Sequence, residues 1–91
     1  MHPGEILREE YLLPIGMSAG ALAKRLGVPR TRIERVATEQ TPITPDTALR
    51  LAKFFKTTPE FWMNMQTGYD IKIAAAAKAE EIAAIPTFEA A

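Results

Sequence analysis

Five of the chain's eleven lysine and arginine residues, Lys24, Arg25, Arg30, Arg32 and Arg35, fall in the stretch SAGALAKRLGVPRTRIERV, residues 18–36. Clustered cationic groups of this type donate hydrogen bonds to anions. A helical arginine can hold a phosphate or reach both acceptors on the major-groove edge of guanine, and a threonine such as Thr31 can touch a thymine methyl. Residues 24–35 carry a net +4, against −2 over residues 1–23 and −2 over residues 36–91, so the formal charge of zero conceals a strongly dipolar chain. A polyanion responds to the patch rather than to the total.

The residues that are scarce exclude other chemistry. One histidine (His2), one serine (Ser18) and no cysteine leave neither a Ser/His nor a Cys/His nucleophile arrangement within one subunit. Glu9 with Glu10, and Glu80 with Glu81, are sequence neighbours on polar stretches and read as solvated faces, not as a tuned acid/base pair. His2 has no second histidine or cysteine to complete a transition-metal site and is expected to be a solvent-exposed terminal residue. No enzyme activity, metal or cofactor is therefore expected. Without cysteine, without an apolar run of membrane-spanning length and without a basic start followed by an apolar stretch, the chain reads as cytoplasmic.

The elements that must position the basic residues are marked by proline, which suits the first position of a helix because its missing N–H has no partner there. Pro3 opens a helix to about Leu12, Pro29 the basic helix, Pro45 a helix to about Phe55 and Pro59 one to about Thr67. Thr44 and Thr58 cap the last two and Ser18 caps the remaining one, while Gly16 and Gly27 sit where helices end. Apolar residues recur at helical spacing: Ile6, Leu7 and Tyr11; Leu22, Ala23 and Leu26; Ala48, Leu49, Ala52 and Phe55; Phe61, Trp62 and Met65. The expected fold is all-α, five helices forming a domain over residues 1–68. The alanine-rich stretch YDIKIAAAAKAEEIAAIPTFEAA, residues 69–91, favours helix but offers little bulk, so it reads as a tail, a dimer-contact helix or a partner-binding helix.

With Ile33 at the origin and roughly 100° per residue, Val36 shares its buried side and Thr31, Arg35 and Thr38 point the opposite way. Arg30 and Glu34 flank that outward face on one edge and Arg32 on the other. A solvated amphipathic helix with an Arg30–Glu34 ion pair would carry the same residues. The preceding alanine-rich helix and the Gly27 turn make it a helix-turn-helix, a geometry that presents its second helix to the major groove. The free N–H groups behind Ser18 can meet a phosphate.

Three stretches together carry a family resemblance: HPGEILREEYLLPIGMS (residues 2–18), the helix-turn-helix itself, and ITPDTALRLAKFFKTTPEFWMNMQTGYDI (residues 43–71). In these the chain resembles the HigA-type antitoxins, helix-turn-helix proteins of the lambda-repressor-like fold that include the VapI-named proteins. The resemblance implies a five-helix DNA-binding domain that forms a homodimer, represses its own operon at a palindromic operator and neutralises a HigB-type ribonuclease toxin that cleaves messenger RNA on the ribosome. It also implies base contacts from Arg30, Thr31 and Arg35, and a base or phosphate contact from Arg32. Ser18, Lys24, Arg25, Thr38 and Thr41 are the expected phosphate contacts.

The chain departs from the family pattern in three places. Pro29 stands where serine is common. Thr38-Glu39-Gln40-Thr41 replaces an Asn-Gly turn, with an acidic residue that opposes phosphate contact. Ser18-Ala19-Gly20 lacks a backbone-gripping glutamine, which shifts anchoring onto Lys24, Arg25 and residues 41–44. A stand-alone regulator of the same fold, or an interaction module that has lost specific DNA binding, are the competing classes.

Overall fold

The computed structural model describes residues 1–89, which leaves the last two positions of the 69–91 segment outside the described residues. Six helices and no strand occur among them. Helix α1 is continuous through Pro3–Ile6, a π-helical section Leu7–Leu12 and Leu13–Ile15. It is followed by α2 (Ala19–Leu26), α3 (Arg30–Ala37), α4 (Pro45–Phe55), α5 (Pro59–Ala77) and a short α6 (Ala79–Ala83).

The capping chemistry explains most of these boundaries. The hydroxyls of Ser18, Thr44 and Thr58 each accept a hydrogen bond from the backbone N–H three residues on, at Ala21, Thr47 and Phe61. Pro3, Pro45 and Pro59 occupy first-turn positions as expected. Pro29 instead sits one place outside, at the N-cap of α3 with ψ 141°, so the basic helix starts at Arg30. The π section of α1 bonds residue i to i+5, and that wider turn brings Leu7 and Leu12, five apart, to one buried side.

Leu7, Leu22, Ile33, Val36, Leu51 and Trp62 form the centre of the core, each 0–1% exposed. Removal of each such large side chain from water contributes about 1.5–3 kcal/mol. Tyr11 packs against Phe55 and Trp62 with ring centroids 4.8 and 5.0 Å apart, and the Trp62 indole donates to the Thr57 hydroxyl at 2.8 Å. Gln66, also buried, accepts from the Ile43 N–H at 2.8 Å and donates to Asp70, tying the α3–α4 loop to α5. Leu49, placed with the core face by its spacing, is 58% exposed, because Ala48, Leu51 and Ala52 already fill the side of α4 that meets the other helices.

His2 corrects the sequence reading most clearly. It is 4% exposed, its Nδ1 accepts from the Gly4 N–H at 2.9 Å to cap α1, and its ring meets Tyr69 edge-on at 4.9 Å. Tyr69 lies 67 positions away in the chain, and only the fold brings it over the N-terminus. A second difference lies in α5. Its helix was expected to end near Thr67 but runs on to Ala77, since nothing between Thr67 and Ala77 breaks helical hydrogen bonding. Residues 70–85 are exposed all round, including Ile71, Ile73, Ile82 and Ile85, so this arm projects from the body and the molecule measures 57 × 23 × 22 Å.

Gly4 makes the docking of α1 possible. A β-carbon there would lie 1.9 Å from the backbone carbonyl oxygen of Val36, in the last turn of α3. Because that neighbour is backbone, it cannot rotate away. Gly4→Ala is expected to destabilise the protein by roughly 3 kcal/mol, read as a lower urea midpoint at unchanged denaturant slope.

Candidate nucleic-acid interface

Helix α2 ends in a tight reversal at Gly27, whose φ of +73° is the left-handed conformation that glycine adopts without strain. The Val28 N–H donates back to the Ala23 carbonyl at 3.1 Å, closing the turn. Helix α3 then starts without a side-chain cap and crosses the body with Ile33, Val36 and Ala37 buried beneath it. Thr31, Arg35 and Thr38 are exposed on its outer surface, which agrees with the projection from sequence, and Arg32 is exposed at the edge of that surface.

Two concavities adjoin this surface. Thr31, Glu34, Arg35, Thr38 and Gln40 line one. Thr31, Arg32 and Arg35 border the other, together with Pro29, Thr41 and Thr44 from the flanking loops. Thr31 and Arg35 are shared by both and sit on the ridge between them. Of the expected phosphate residues, Thr41 joins this surface and is half-buried, while Lys24 and Arg25 are exposed in the last turn of α2. Arg25 lines a separate depression with Leu49, Arg50 and Lys53. Ser18 is exposed at the head of α2, its hydroxyl engaged as the cap. Thr38 donates its hydroxyl proton to the Glu34 carbonyl at 2.9 Å, which leaves its oxygen as an acceptor rather than a free donor.

The five clustered cations are not equivalent. Arg30 is held by Glu34 at 3.0 Å, the i,i+4 pair expected from spacing. Arg32 reaches back to Asp46 at the start of α4. Lys24, Arg25 and Arg35 have no ion-pair partner among the described residues. Arg35 is thus the unpaired arginine on the outward centre of α3.

Glu39, expected to oppose phosphate contact, shares Arg8 with Glu9, so the three groups together keep one net negative charge. It occupies the left-handed region at φ +64°, where an asparagine or glycine is usual, and its carboxylate faces Arg8 of α1 at 3.4 Å. Arg8 also donates to the Ala37 carbonyl at the end of α3, and its ion pairs with Glu9 and Glu39 hold its guanidinium pKa above the ordinary value. Neither partnership was legible, since Arg8 and Glu39 lie 31 positions apart.

Asp46 and Arg50 are the other residues that sequence reasoning passed over. Arg50 bonds Asp46 at 3.0 Å and, through its other arm, donates to the Leu26 carbonyl at the end of α2 at 2.8 Å. The i,i+4 spacing of Asp46 and Arg50 was a usable signal; the reach to Leu26 was not. Among the described residues no cluster of three or more metal-ligating side chains forms, and no helix is long and apolar enough to cross a membrane.

A short helix, a left-handed glycine turn and a second helix with a basic outer face, all seated on one core, define a helix-turn-helix protein. A family model described as helix-turn-helix matches residues 8–62. Virulence-associated protein I of Dichelobacter nodosus is 58% identical over 74 residues, covering 81% of this chain and 68% of that protein. Among solved structures, the Pseudomonas aeruginosa antitoxin HigA with the higBA promoter superposes with a TM-score of 0.94 at 39% identity, covering 98% of both chains. The antitoxin GraA in complex with its operator superposes at 0.92 and 42% identity, covering 99% of this chain and 92% of that one. The chain belongs to the helix-turn-helix family, in the group that contains the HigA antitoxins and virulence-associated protein I. It spans between 61 and 68% of the length of the curated relatives it matches.

Arg32, then Arg50, hold the Asp46 carboxyl below the usual aspartate range by hydrogen bonding to its charged form. A carboxyl depressed in the folded state stabilises it above the unfolded pKa, and that contribution is lost as the pH falls through the folded value. The melting temperatures of the wild type and Asp46→Asn should therefore differ at pH 7 and converge as the pH drops below about 3.9. A difference that persists at the lowest pH would rule out the ionised pair as its source.

Proposed function

We propose that the protein is the antitoxin of a toxin–antitoxin pair that also represses its own operon by binding operator DNA. It acts by binding rather than by catalysis, in the cytoplasm where that DNA is. The single observation that carries the DNA reading is α3: its buried side is fixed by Ile33 and Val36 while Arg35, unpaired, and Thr31 stand on the opposite side. The similarity to HigA and GraA chains solved with a promoter and an operator supports the same reading.

In this proposal residues 1–68 form the DNA-binding unit. Arg35 and Thr31 read base edges at the centre of the contact, Arg30 and Arg32 reach bases or phosphates at its edges, and Ser18, Lys24, Arg25, Thr38 and Thr41 meet the backbone. One recognition helix reads only a few base pairs, so two copies related by a two-fold axis would place their α3 helices about 34 Å apart on a palindromic site. The segment 69–91 would serve contacts between proteins, and its exposed isoleucines offer apolar surface for a second copy. Neutralisation of a ribonuclease toxin rests on the similarity to antitoxins alone.

Fluorescence anisotropy against a duplex from the region upstream of its own gene, with a scrambled duplex as control, tests the repressor reading. Preference for the native duplex by about a thousandfold or more is expected near physiological salt; equal, weak binding to both would refute specific repression. On the native duplex, Arg35→Ala should cost about 1–3 kcal/mol and relax sequence preference at one position. Lys24→Ala should weaken native and scrambled duplexes alike and reduce the salt slope by about one unit. The antitoxin half predicts that co-expression relieves growth arrest by the toxin encoded beside this gene. Persistent arrest with both proteins soluble would reject it.

A further inference from the structure

Arg32 stands at the edge of the presented face of α3, yet its guanidinium is turned back onto the Asp46 carboxylate. Its hold is reinforced from behind. The same Asp46 oxygen, Oδ2, receives Arg50 Nε at 3.0 Å, and Arg50 Nη1 is tied at 2.8 Å to the Leu26 carbonyl at the end of α2. Asp46 is therefore fixed to α2 through Arg50, whereas Arg32 can leave by side-chain rotation alone. The Arg32 and Asp46 side chains are 40% and 52% exposed, so water and salt reach the pair and its strength is modest. Arg32 also borders the concavity shared with Thr31, Arg35, Thr41 and Thr44, which places its rotated position against the surface proposed to meet the duplex.

We propose that Asp46 is a specificity-determining residue that competes with DNA for Arg32. It occupies the guanidinium as a built-in substitute for a backbone phosphate and releases it only at sequences where Arg32 gains a better partner. A carboxylate and a phosphate oxygen offer arginine the same charge-assisted geometry. At a random sequence, exchange of one anion for the other brings Arg32 little gain. At the operator, a two-pronged contact with a base edge or a well-placed phosphate exceeds what Asp46 provides. The effect penalises non-specific binding more than specific binding. This inference rests on the DNA-binding reading of α3.

The test is anisotropy titration of the full chain against the native and scrambled duplexes between about 50 and 200 mM salt, with wild type, Asp46→Asn, Arg32→Ala and the double variant. Asparagine keeps one carbonyl oxygen that can accept from Arg50, while the charge and the second acceptor oxygen are removed. Asp46→Asn is expected to tighten scrambled-duplex binding by about threefold to tenfold, with a salt slope steeper by about one unit, and to change operator binding less. The gain should vanish in the Arg32→Ala background and revert in Asp46→Glu. Arg32→Ala alone should weaken operator binding and leave scrambled binding nearly unchanged. A merely structural Asp46 would instead show equal weakening on both duplexes, which overturns the inference, as does a gain that survives without Arg32. If the wild type binds no duplex at all, the DNA-binding reading falls and this inference with it. Binding with no Arg32-dependent gain defeats the inference alone.

Discussion

The seating of α1 on the last turn of α3 is the contact on which the rest of the structure depends. Two backbone carbonyls at the end of α3 face α1: that of Val36, which accepts from the Glu39 N–H at 3.0 Å, and that of Ala37. The Val36 carbonyl abuts Gly4 where no side chain would fit, and the Ala37 carbonyl accepts from the Arg8 guanidinium. A cation at a helix C-terminus also meets the negative end of its dipole. Arg8 thereby does two things at once: it satisfies the Ala37 carbonyl and, through Glu39, holds the left-handed turn that ends α3, where the Gln40 N–H closes back onto the Arg35 carbonyl at 2.8 Å. The first helix is a brace for the helix that carries the arginines, and His2 sets that brace by capping it from beneath Tyr69.

The other end of the helix-turn-helix is held by charge. Arg50 links the last carbonyl of α2 to Asp46, and Asp46 links α4 to Arg32 on α3. These groups are exposed, so each bond alone contributes little to stability. Their combined effect is orientation, because they set where the Arg32 side chain of α3 points. The cluster of five cations accordingly divides into two that are held by carboxylates and three that are unpaired.

The α3 face was legible because helical geometry is local: Ile33 and Val36 share a side whatever surrounds them, and Thr31 and Arg35 must then face away. Helix starts at Pro3, Pro45 and Pro59, and the hydroxyl caps at Ser18, Thr44 and Thr58, were legible for the same reason. Leu49 was misplaced because two helical sides of α4 are apolar and only packing chooses between them. The end of α5 was misplaced because alanine-rich sequence continues a helix without any contact to mark where the body of the protein stops.

By itself the sequence determined the helical class, the element boundaries set by proline, glycine and hydroxyl caps, the glycine turn and the outward character of Thr31, Arg35 and Thr38. All of these depend on interactions within about four residues. The tertiary structure alone decided the burial of His2, the close approach at Gly4, the pairing of Arg8 with Glu39 and the turning of Arg32 onto Asp46. Each joins residues separated by 14 or more positions. Nothing in local periodicity specifies which distant group a long, exposed arginine will find, because that choice is made only when the helices pack.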